Sequence, residues 1–511
     1  MGWDRGIELT GVELETTQYR EGMRMSREAK VFIEYDQEQG MLFPPHVGEL
    51  VGESHPARLV SEIVDGLDIS SLERKAEEEH KDGGRPGYHP RMMLKLLVYA
   101  YSMGLRSSRK IEALCKENVV FMWLSGWSKP DHSVIAEFRR KNGEGFKELM
   151  RKCLEVGREM GLKKLGEMVL VDGTKIRANA SRHGTAGRER LEEERKRLEE
   201  EITRRMKEAE AKDAKEEAKG EGGERELPKG LRQKEERKGR LERAIEAVKV
   251  QEAEGKQGRV SATDPDARPM KMKDGGCQVA YNGQVGVETG AGLITAAVVS
   301  QNSGDSGSFV PIVRESKEAV GEALRKAGAD SGYASGANVK GAEELGVETY
   351  IAEKGGEGEG KEGSGYGKER FEYDKERDEY RCPAGQVLSY ERTTRERVWG
   401  REEREFRLYR CQACKGCAKK GECFKGERNR KIRRDEYDEY RERNRARYRS
   451  KEGEEIRKVR WLVERVLGIT KGVRGFVNFL LRGLDGATTE WRLMALAYNV
   501  TRLASLRAVS G

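Results

Sequence analysis

Two short apolar runs that each end on an aspartate constrain the fold most strongly. The run at 168–171 (MVLV) precedes Asp172, and the run at 327–329 (AGA) precedes Asp330; a glycine-containing turn follows each acid. An apolar run of this length that stops at a turn indicates a strand buried in a sheet. Helices must cover such a sheet, so the sequence predicts an α/β core with a mixed sheet.

The composition allows several domains and places much of the charge outside any core. The 511 residues suffice for two to four domains of roughly 100–200 residues each. Charged residues make up 37%, against about 25% in an ordinary soluble domain. The net charge of +8 permits a nucleic-acid partner without demanding one. No apolar run of about 18 residues and no apolar leader occur, so we expect no membrane span, no signal peptide and a cytoplasmic location.

Changes in hydrophobic period and composition divide the chain into segments. The predicted segments are a poorly ordered leader (1–40), a helical N-terminal domain (41–147), the first part of an α/β core (148–187), a charged helical hairpin (188–256), the second core part (257–354), a Cys-rich β insertion (355–436) and the last core part with C-terminal helices (437–511). The N-terminal domain has short helices and a basic last helix containing Arg139 and Arg140. It fits a helix-turn-helix-like DNA-binding module and an all-α packing domain equally well.

The charged segment contains two stretches, 188–219 and 231–254, of Glu, Lys, Arg and Ala with sparse apolar positions. These positions predict two helices that turn back on each other along a thin apolar seam. The predicted seam consists of Leu191, Leu198, Ile202, Met206, Leu241, Ile245 and Val248. Such arms usually act as spacers or self-association elements.

The aspartates that follow the two apolar runs are candidates for metal binding. Acids at the carboxyl ends of strands converge on one crevice, even when they are far apart in the chain. Asp172 and Asp330 could therefore hold Mg²⁺, which prefers oxygen ligands. A single strand-end aspartate is more often a turn former or a helix cap.

A third acid, Glu464, interrupts an apolar helical stretch near the C-terminus. Arg460 lies four residues before it and Lys471 seven residues after it, on one predicted stripe of a helix over 454–468 and beyond. A carboxylate between two cations fits a metal ligand with phosphate-binding neighbours, and it fits an intrahelical salt bridge equally well.

Taken together, these motifs resemble the DDE triad of bacterial insertion-sequence transposases. The resemblance rests on Asp172 in VDGTK, Asp330 in ADSGY and Glu464 in the spacing Arg-x3-Glu-x6-Lys. This spacing is part of the family's Tyr-x2-Arg-x3-Glu-x6-Lys signature. Further motifs agree in order across about residues 40–505: PDHS at 130–133, DPDAR at 264–268, YNGQ at 281–284 and AYN at 497–499. The signature's tyrosine is replaced by Arg457 in this chain.

The resemblance implies a ribonuclease-H-like core in which Asp172, Asp330 and Glu464 hold Mg²⁺ or Mn²⁺. It also implies nicking at element ends, strand transfer by the freed 3′-hydroxyl, and a homodimer or higher multimer on DNA. Lys175, Arg177, Arg460 and Lys471 would then contact DNA phosphates, and the N-terminal helices with Arg139 and Arg140 would recognise the terminal repeats. Two alternatives stay open: a transposase-derived DNA-binding protein that has lost catalysis, and a nuclease that does not integrate.

Five cysteines cluster between the second aspartate and Glu464. They are Cys382, Cys411, Cys414, Cys417 and Cys423. In a reducing compartment, thiols at this spacing favour metal over disulfide, and tetrahedral Zn²⁺ takes four of them. All six histidines lie far upstream, so we expect an all-cysteine structural zinc site. An iron–sulfur cluster and unliganded thiols are the alternatives.

Overall fold

The computed structural model describes residues 46–79, 81, 86–162, 165–180, 184–217, 230–253, 255, 258–273, 275–353, 365–398, 402–424 and 429–510. The predicted leader at 1–40 lies outside these residues. Most of the Gly- and Glu-rich stretch at 355–367 and the connection between the two charged stretches also lie outside them.

Short capped helices form the N-terminal part. They are α1 (Pro56–Gly66), α2 (Ser70–Glu79), α3 (Pro90–Ser102), α4 (Ser108–Glu117), α5 (Val119–Leu124) and α6 (His132–Lys141), followed by α7 (Gly143–Glu159). Side-chain caps set several of their starts: Ser107 accepts from the Lys110 backbone N–H, and Asp131 Oδ1 accepts from the Ser133 N–H at 2.7 Å. The predicted helical N-terminal region is confirmed.

A mixed sheet occupies the centre of the molecule. In chain order the strands are β1 (Met168–Arg177), β2 (Thr185–Ala186), β3 (Val260–Ser261), β4 (Arg268–Lys271), β5 (Cys277–Glu288), β6 (Ile294–Ser300), β7 (Lys326–Ala329) and β8 (Glu348–Ile351). The central order is β6-β5-β1-β7-β8, with β4 also on β5, and β2 pairs separately with β3. β5 is antiparallel to β6 and β1, whereas β1, β7 and β8 are mutually parallel. The predicted mixed α/β class is confirmed.

Helices cover both faces of this sheet. The remaining helices are α8 (Arg188–Glu217), α9 (Leu231–Ala253), α10 (Phe309–Val320), α11 (Gly336–Glu344), α12 (Lys420–Cys423), α13 (Asp438–Arg449), α14 (Lys451–Val459), α15 (Trp461–Gly468) and α16 (Gly483–Ser510). Gly283 of β5 leaves room for Trp491 of α16, and Gly286 leaves room for Ile312 of α10 on the opposite face. The apolar character of the central strands follows from this double cover.

The two charged stretches form α8 and α9, which pack on each other antiparallel. Their seam is a separate apolar cluster that includes Leu191, Leu198 and Val248. Ion pairs such as Arg237–Glu194, at 2.6 Å, flank the seam. The predicted hairpin pairing is confirmed, with one correction: Met206 is 43% exposed and lies outside the seam.

The Cys-rich segment forms a second sheet with its own apolar cluster. Its strands are β9 (Glu372–Asp374), β10 (Glu379–Arg381), β11 (Val387–Val398), β12 (Glu402–Cys411) and β13 (Lys431–Arg434). The order is β13-β12-β11-β10-β9, antiparallel throughout. Tyr380, Leu388 and Tyr409 are fully buried between it and the cysteines.

Two sequence-based boundaries were wrong near the candidate site. β1 does not end before Asp172 but continues to Arg177, because β5 pairs along its whole length. The helix predicted over 454–468 is two helices, α14 and α15, which meet at Arg460. A π-helical turn, Ile469–Val473, then follows α15 and carries Lys471.

The C-terminal helix α16 joins the N-terminal helices to the sheet. Its Trp491 Nε1 donates to the Gln284 carbonyl at 2.8 Å, and Asn499 bonds both the N–H and the C=O of Ile294 at 2.8 Å. Glu490, fully buried, accepts from the Leu480 N–H at 2.7 Å and lies 3.4 Å from the Arg106 guanidinium. Among the described helices, none has both the length and the apolarity to cross a membrane.

Replacing Glu490 should therefore destabilise the whole molecule. Glu490→Ala removes the acceptor of the Leu480 and Leu481 N–H groups and the carboxylate paired with the partly buried Arg106 guanidinium, so we expect a loss of about 3–5 kcal/mol in the free energy of unfolding. Glu490→Gln keeps one acceptor oxygen and should lose less. Urea unfolding of both variants measures this, with the exposed Glu454→Ala as a control expected to change stability by under about 0.5 kcal/mol. Equal stability of Glu490→Ala and the wild type would contradict the linking role.

Candidate active site

Asp172 lies on β1 at the point where its parallel partner stops. β7 pairs with β1 only from Met168 to Val171, whereas β5 continues opposite Asp172 and beyond. The side chain is partly buried, and Oδ1 accepts from the Gly173 N–H at 2.8 Å. Burial raises the pKa of Asp172 to about 6; the negative charge of Asp330 adds to this, while the Gly173 N–H and the Arg460 and Lys273 charges oppose it.

Asp330 follows β7 directly and therefore lies beside Asp172. Val171 and Ala329 are partners in the parallel register, so the next residue on each strand is an aspartate. Asp330 Oδ1 accepts from the Gly332 N–H at 2.8 Å, and Oδ2 lies 3.6 Å from Arg460 Nη2. The structure thus brings together two acids that the sequence separates widely.

The segment after α14 brings two cations toward these acids. Arg460, between α14 and α15, pairs with Asp330. Lys471, in the π-helical turn, donates from Nζ to the Thr174 hydroxyl and to the Lys175 carbonyl, both at 3.1 Å. The sequence predicted that Lys471 lies seven residues after Glu464 on one face of a regular helix. Because the π-helical turn is wider than an α-helix, that spacing does not describe how Lys471 reaches β1.

Glu464 is exposed on α15, one turn after Arg460, and α15 packs against β1. The three candidate acids do not form a closed cluster in this arrangement. Within the part of the chain that the structure describes, only Glu112, Asp131 and His132 form an acid, His or Cys group whose ligand atoms all lie within 4.8 Å of one another. Local contacts explain that group: Asp131 caps α6, and Glu112 pairs with Lys116 at 2.6 Å.

Arg457, which stands where the resembling family has tyrosine, packs against Tyr448. Its guanidinium donates to the Tyr448 carbonyl and lies 4.8 Å from the centre of the Tyr448 ring. The residue therefore links α14 to α13 instead of adding a cation beside the aspartates.

The other residues predicted to contact DNA occupy different environments. Lys175 Nζ donates to the Lys271 carbonyl at 3.0 Å, and Arg177 at the end of β1 is exposed. Arg140 is exposed near Glu137. Arg139 is 4% exposed and donates to the Tyr101 hydroxyl at 3.1 Å, so its guanidinium serves interior packing and is not accessible to a DNA phosphate.

Sequence reasoning missed Asp305, which follows β6 and whose charge, with those of Asp172 and Asp330, raises the pKa of Tyr333. The amides of Asn282 and Gln284 donate to its Oδ1 at 2.7 and 2.8 Å. Both amides belong to the YNGQ motif, whose buried polar pair on a central strand was the available signal.

The five clustered cysteines surround one small cavity of about 20 Å³. The Gln386 N–H donates to Cys382 Sγ at 3.3 Å, and the Arg430 N–H donates to Cys414 Sγ at 3.4 Å. Burial raises the pKa of Cys411 to about 11 and also raises that of Cys423. No three of these sulfurs lie within 4.8 Å of one another in this arrangement, although all five residues are described.

Comparison with protein families agrees with the arrangement of elements. The family described as Transposase domain (DUF772) matches residues 45–141, the span of α1 to α6. The family described as Transposase DDE domain matches residues 381–504, which include the clustered cysteines and Glu464. No curated protein and no solved structure matches the chain.

The two matches support a DDE transposase of an insertion sequence. This family comprises metal-dependent enzymes that process nucleic acid, commonly with Mg²⁺, and DNA is the implied partner. The pair Asp172 and Asp330 fits such an ion, because the negative charge of Asp330 helps raise the pKa of Asp172 and a divalent cation would offset that repulsion.

The raised pKa of Asp172 predicts a pH-dependent effect on the metal-free protein. The ionised carboxylate is disfavoured in the folded state, so this group's stabilisation is present below about pH 4 and is lost as pH rises through about 6. Asp172→Asn should therefore stabilise the metal-free protein at pH 7.5 by roughly 2 kcal/mol, and the gain should vanish near pH 4. Unfolding in urea with a chelator, at both pH values, measures it. A gain of the same size at both pH values would contradict the assigned cause.

Proposed function

We propose that this chain binds the ends of its insertion sequence, cleaves them with a divalent metal and joins the freed 3′-hydroxyl to target DNA. The observation that carries the proposal is the meeting of Asp172, Asp330 and Arg460 where β7 ends beside β1. These residues come from three segments that are far apart in the sequence. Their convergence is what a site for phosphodiester chemistry requires.

The proposed core has a ribonuclease-H-like sheet. The strand order β6-β5-β1-β7-β8, with antiparallel pairs on one side of β1 and parallel pairs on the other, supports this assignment. The core then consists of segments 148–187, 257–354 and 437–511. The hairpin at 188–256 and the Cys-rich segment at 355–436 are insertions, an assignment favoured by the separate apolar cluster of each.

Asp172, Asp330 and Glu464 are the proposed ligands of Mg²⁺ or Mn²⁺. Bound metal supplies charge neutralisation for the attacking and leaving oxygens of a phosphodiester. The geometry of Asp172 and Asp330 supports their part directly. Glu464 is included because its helix packs on β1, one turn after the residue that pairs with Asp330.

The proposed chemistry is two successive displacements at phosphorus. In the first, the oxygen of water bonds to phosphorus as the P–O3′ bond breaks, leaving a 3′-hydroxyl and a 5′-phosphate. In the second, that 3′-hydroxyl attacks a target phosphate and releases a new 3′-hydroxyl. Arg460 lies beside Asp330, where it can hold the attacked phosphate while the carboxylates keep their charge.

Cationic side chains around the site are the proposed contacts to the DNA phosphates. Lys175, Arg177 and Lys471 lie along the end of β1, and Arg140 is exposed on α6. Affinity from such contacts should fall steeply with salt and carry little sequence information.

We propose that a homodimer or higher multimer holds paired ends in the cytoplasm, where chromosomal DNA lies. We do not favour the alternative of a catalytically impaired DNA-binding protein, because Arg457, which replaces the signature's tyrosine, is bonded to the Tyr448 carbonyl.

A nicking assay with end-containing DNA and Mg²⁺ tests the catalytic assignment. Asp172→Asn, Asp330→Asn and Glu464→Gln should each lower nicking by at least about 1000-fold, while DNA binding measured in a chelator stays within about threefold of wild type. Asp374→Asn, whose carboxylate caps a turn in the second sheet, is the matched control and should nick normally. Persistent nicking by the triad variants would refute the assignment.

We also propose that four of the five clustered cysteines hold a structural Zn²⁺. The cavity they share is about the size of one ion, and backbone N–H groups already donate to two of the sulfurs, as around metal thiolates. The sulfurs must draw closer on binding. Because buried thiols with raised pKa lose their protons to the metal, binding should weaken as pH falls.

Metal analysis of the purified protein should find about one zinc per chain. Single Cys→Ser changes at 382, 411, 414, 417 and 423 should abolish the zinc in four variants and spare it in the fifth. Cys277→Ser, outside the cluster, should keep the zinc. Bound iron with visible absorption would instead indicate an iron–sulfur cluster. A metal-free protein of native stability would refute both the zinc site and the iron–sulfur cluster.

A further inference from the structure

Asp305 is held in a single orientation by two buried amides. Asn282 is 1% exposed and Gln284 fully buried, and both donate to the same oxygen, Oδ1. The Tyr333 hydroxyl donates to Gln284 Oε1, which fixes the amide so that its N–H₂ group faces Asp305.

The strand residue next to Asp172 makes room for this arrangement. Gly173 is the register partner of Gln284, and a Cβ on Gly173 would overlap the Gln284 amide. The glycine therefore lets Gln284 lie across β1 and reach Asp305. The Asp-Gly pair of the first motif thus serves the position of Asp305 as well as that of Asp172.

The second oxygen of Asp305 lies close to Asp330. A Cβ built on Gly332 would lie 2.8 Å from Asp330 Oδ1 and 3.3 Å from Asp305 Oδ2. The two oxygens are therefore no more than about 6 Å apart, and a side chain at position 332 would crowd both.

We propose that Asp305 is a further metal-facing carboxylate of the site that holds Asp172 and Asp330. This inference rests on the proposed function. Asp172, Asp305 and Asp330 place three carboxylates around one region, and the charges recorded beside them are Arg460 and Lys273. Like charges held this closely are costly unless a cation lies between them, and a divalent ion supplies the missing positive charge.

The Asp305→Asn variant separates this role from a structural one. An asparagine oxygen can still accept from Asn282 and Gln284, so folding should persist, but the negative charge is lost. Titration of the full-length chain with Mn²⁺ alone should show affinity about 10–100-fold weaker than wild type. The Mn²⁺ concentration for half-maximal nicking should rise in parallel. Asp305→Glu, which keeps the charge on a longer side chain, should recover part of the affinity.

Two reference variants distinguish the possible failures. Asp172→Asn should weaken Mn²⁺ binding, and Asp374→Asn should leave it unchanged. If Asp172→Asn weakens binding and Asp305→Asn does not, Asp305 is structural and this inference is overturned, while the proposed function stands. If neither variant changes Mn²⁺ affinity, the proposed metal site is wrong, and both this inference and the proposed function are refuted. An Asp305→Asn protein that unfolds while Asp305→Glu binds Mn²⁺ like wild type also overturns the metal-facing role.

Discussion

The double pairing of β1 is the constraint on which the candidate site depends. β7 pairs with β1 in parallel over four residues and then stops, while β5 stays paired along the strand. The end of β7 leaves Asp172 beside Asp330 at an open position in an otherwise covered sheet. A shift of one residue in the parallel register would turn one of the aspartates to the other face.

The surrounding elements supply what two adjacent carboxylates lack. Arg460 reaches Asp330 because the helix breaks at that residue, and Lys471 reaches β1 through a wider π-helical turn. Helix α16 holds this assembly against the N-terminal helices through buried Glu490 and Trp491. The charges at the site are thus positioned by interior packing, which keeps them from relaxing apart.

Local patterns predicted some of this and failed where distant segments meet. The apolar run before Asp172 predicted a buried strand, and the spacing of Leu191, Leu198 and Val248 predicted the α8 and α9 seam, because both signals depend on neighbouring residues. Arg139 was expected at DNA, but tertiary packing buries it against Tyr101. Asp305 gave no signal in its own neighbourhood, since the amides that bind it lie on β5, more than 20 residues earlier in the chain.

The sequence by itself determined the class of protein, the helical N-terminal region, the α/β core and the candidate acids, because motif order and hydrophobic period are written in the linear chain. Only the tertiary structure decided that Asp172 and Asp330 are adjacent, that Arg457 contacts Tyr448 and that Asp305 lies close to Asp330. These relations arise from strand register and from the packing of residues far apart in sequence, which no local pattern encodes.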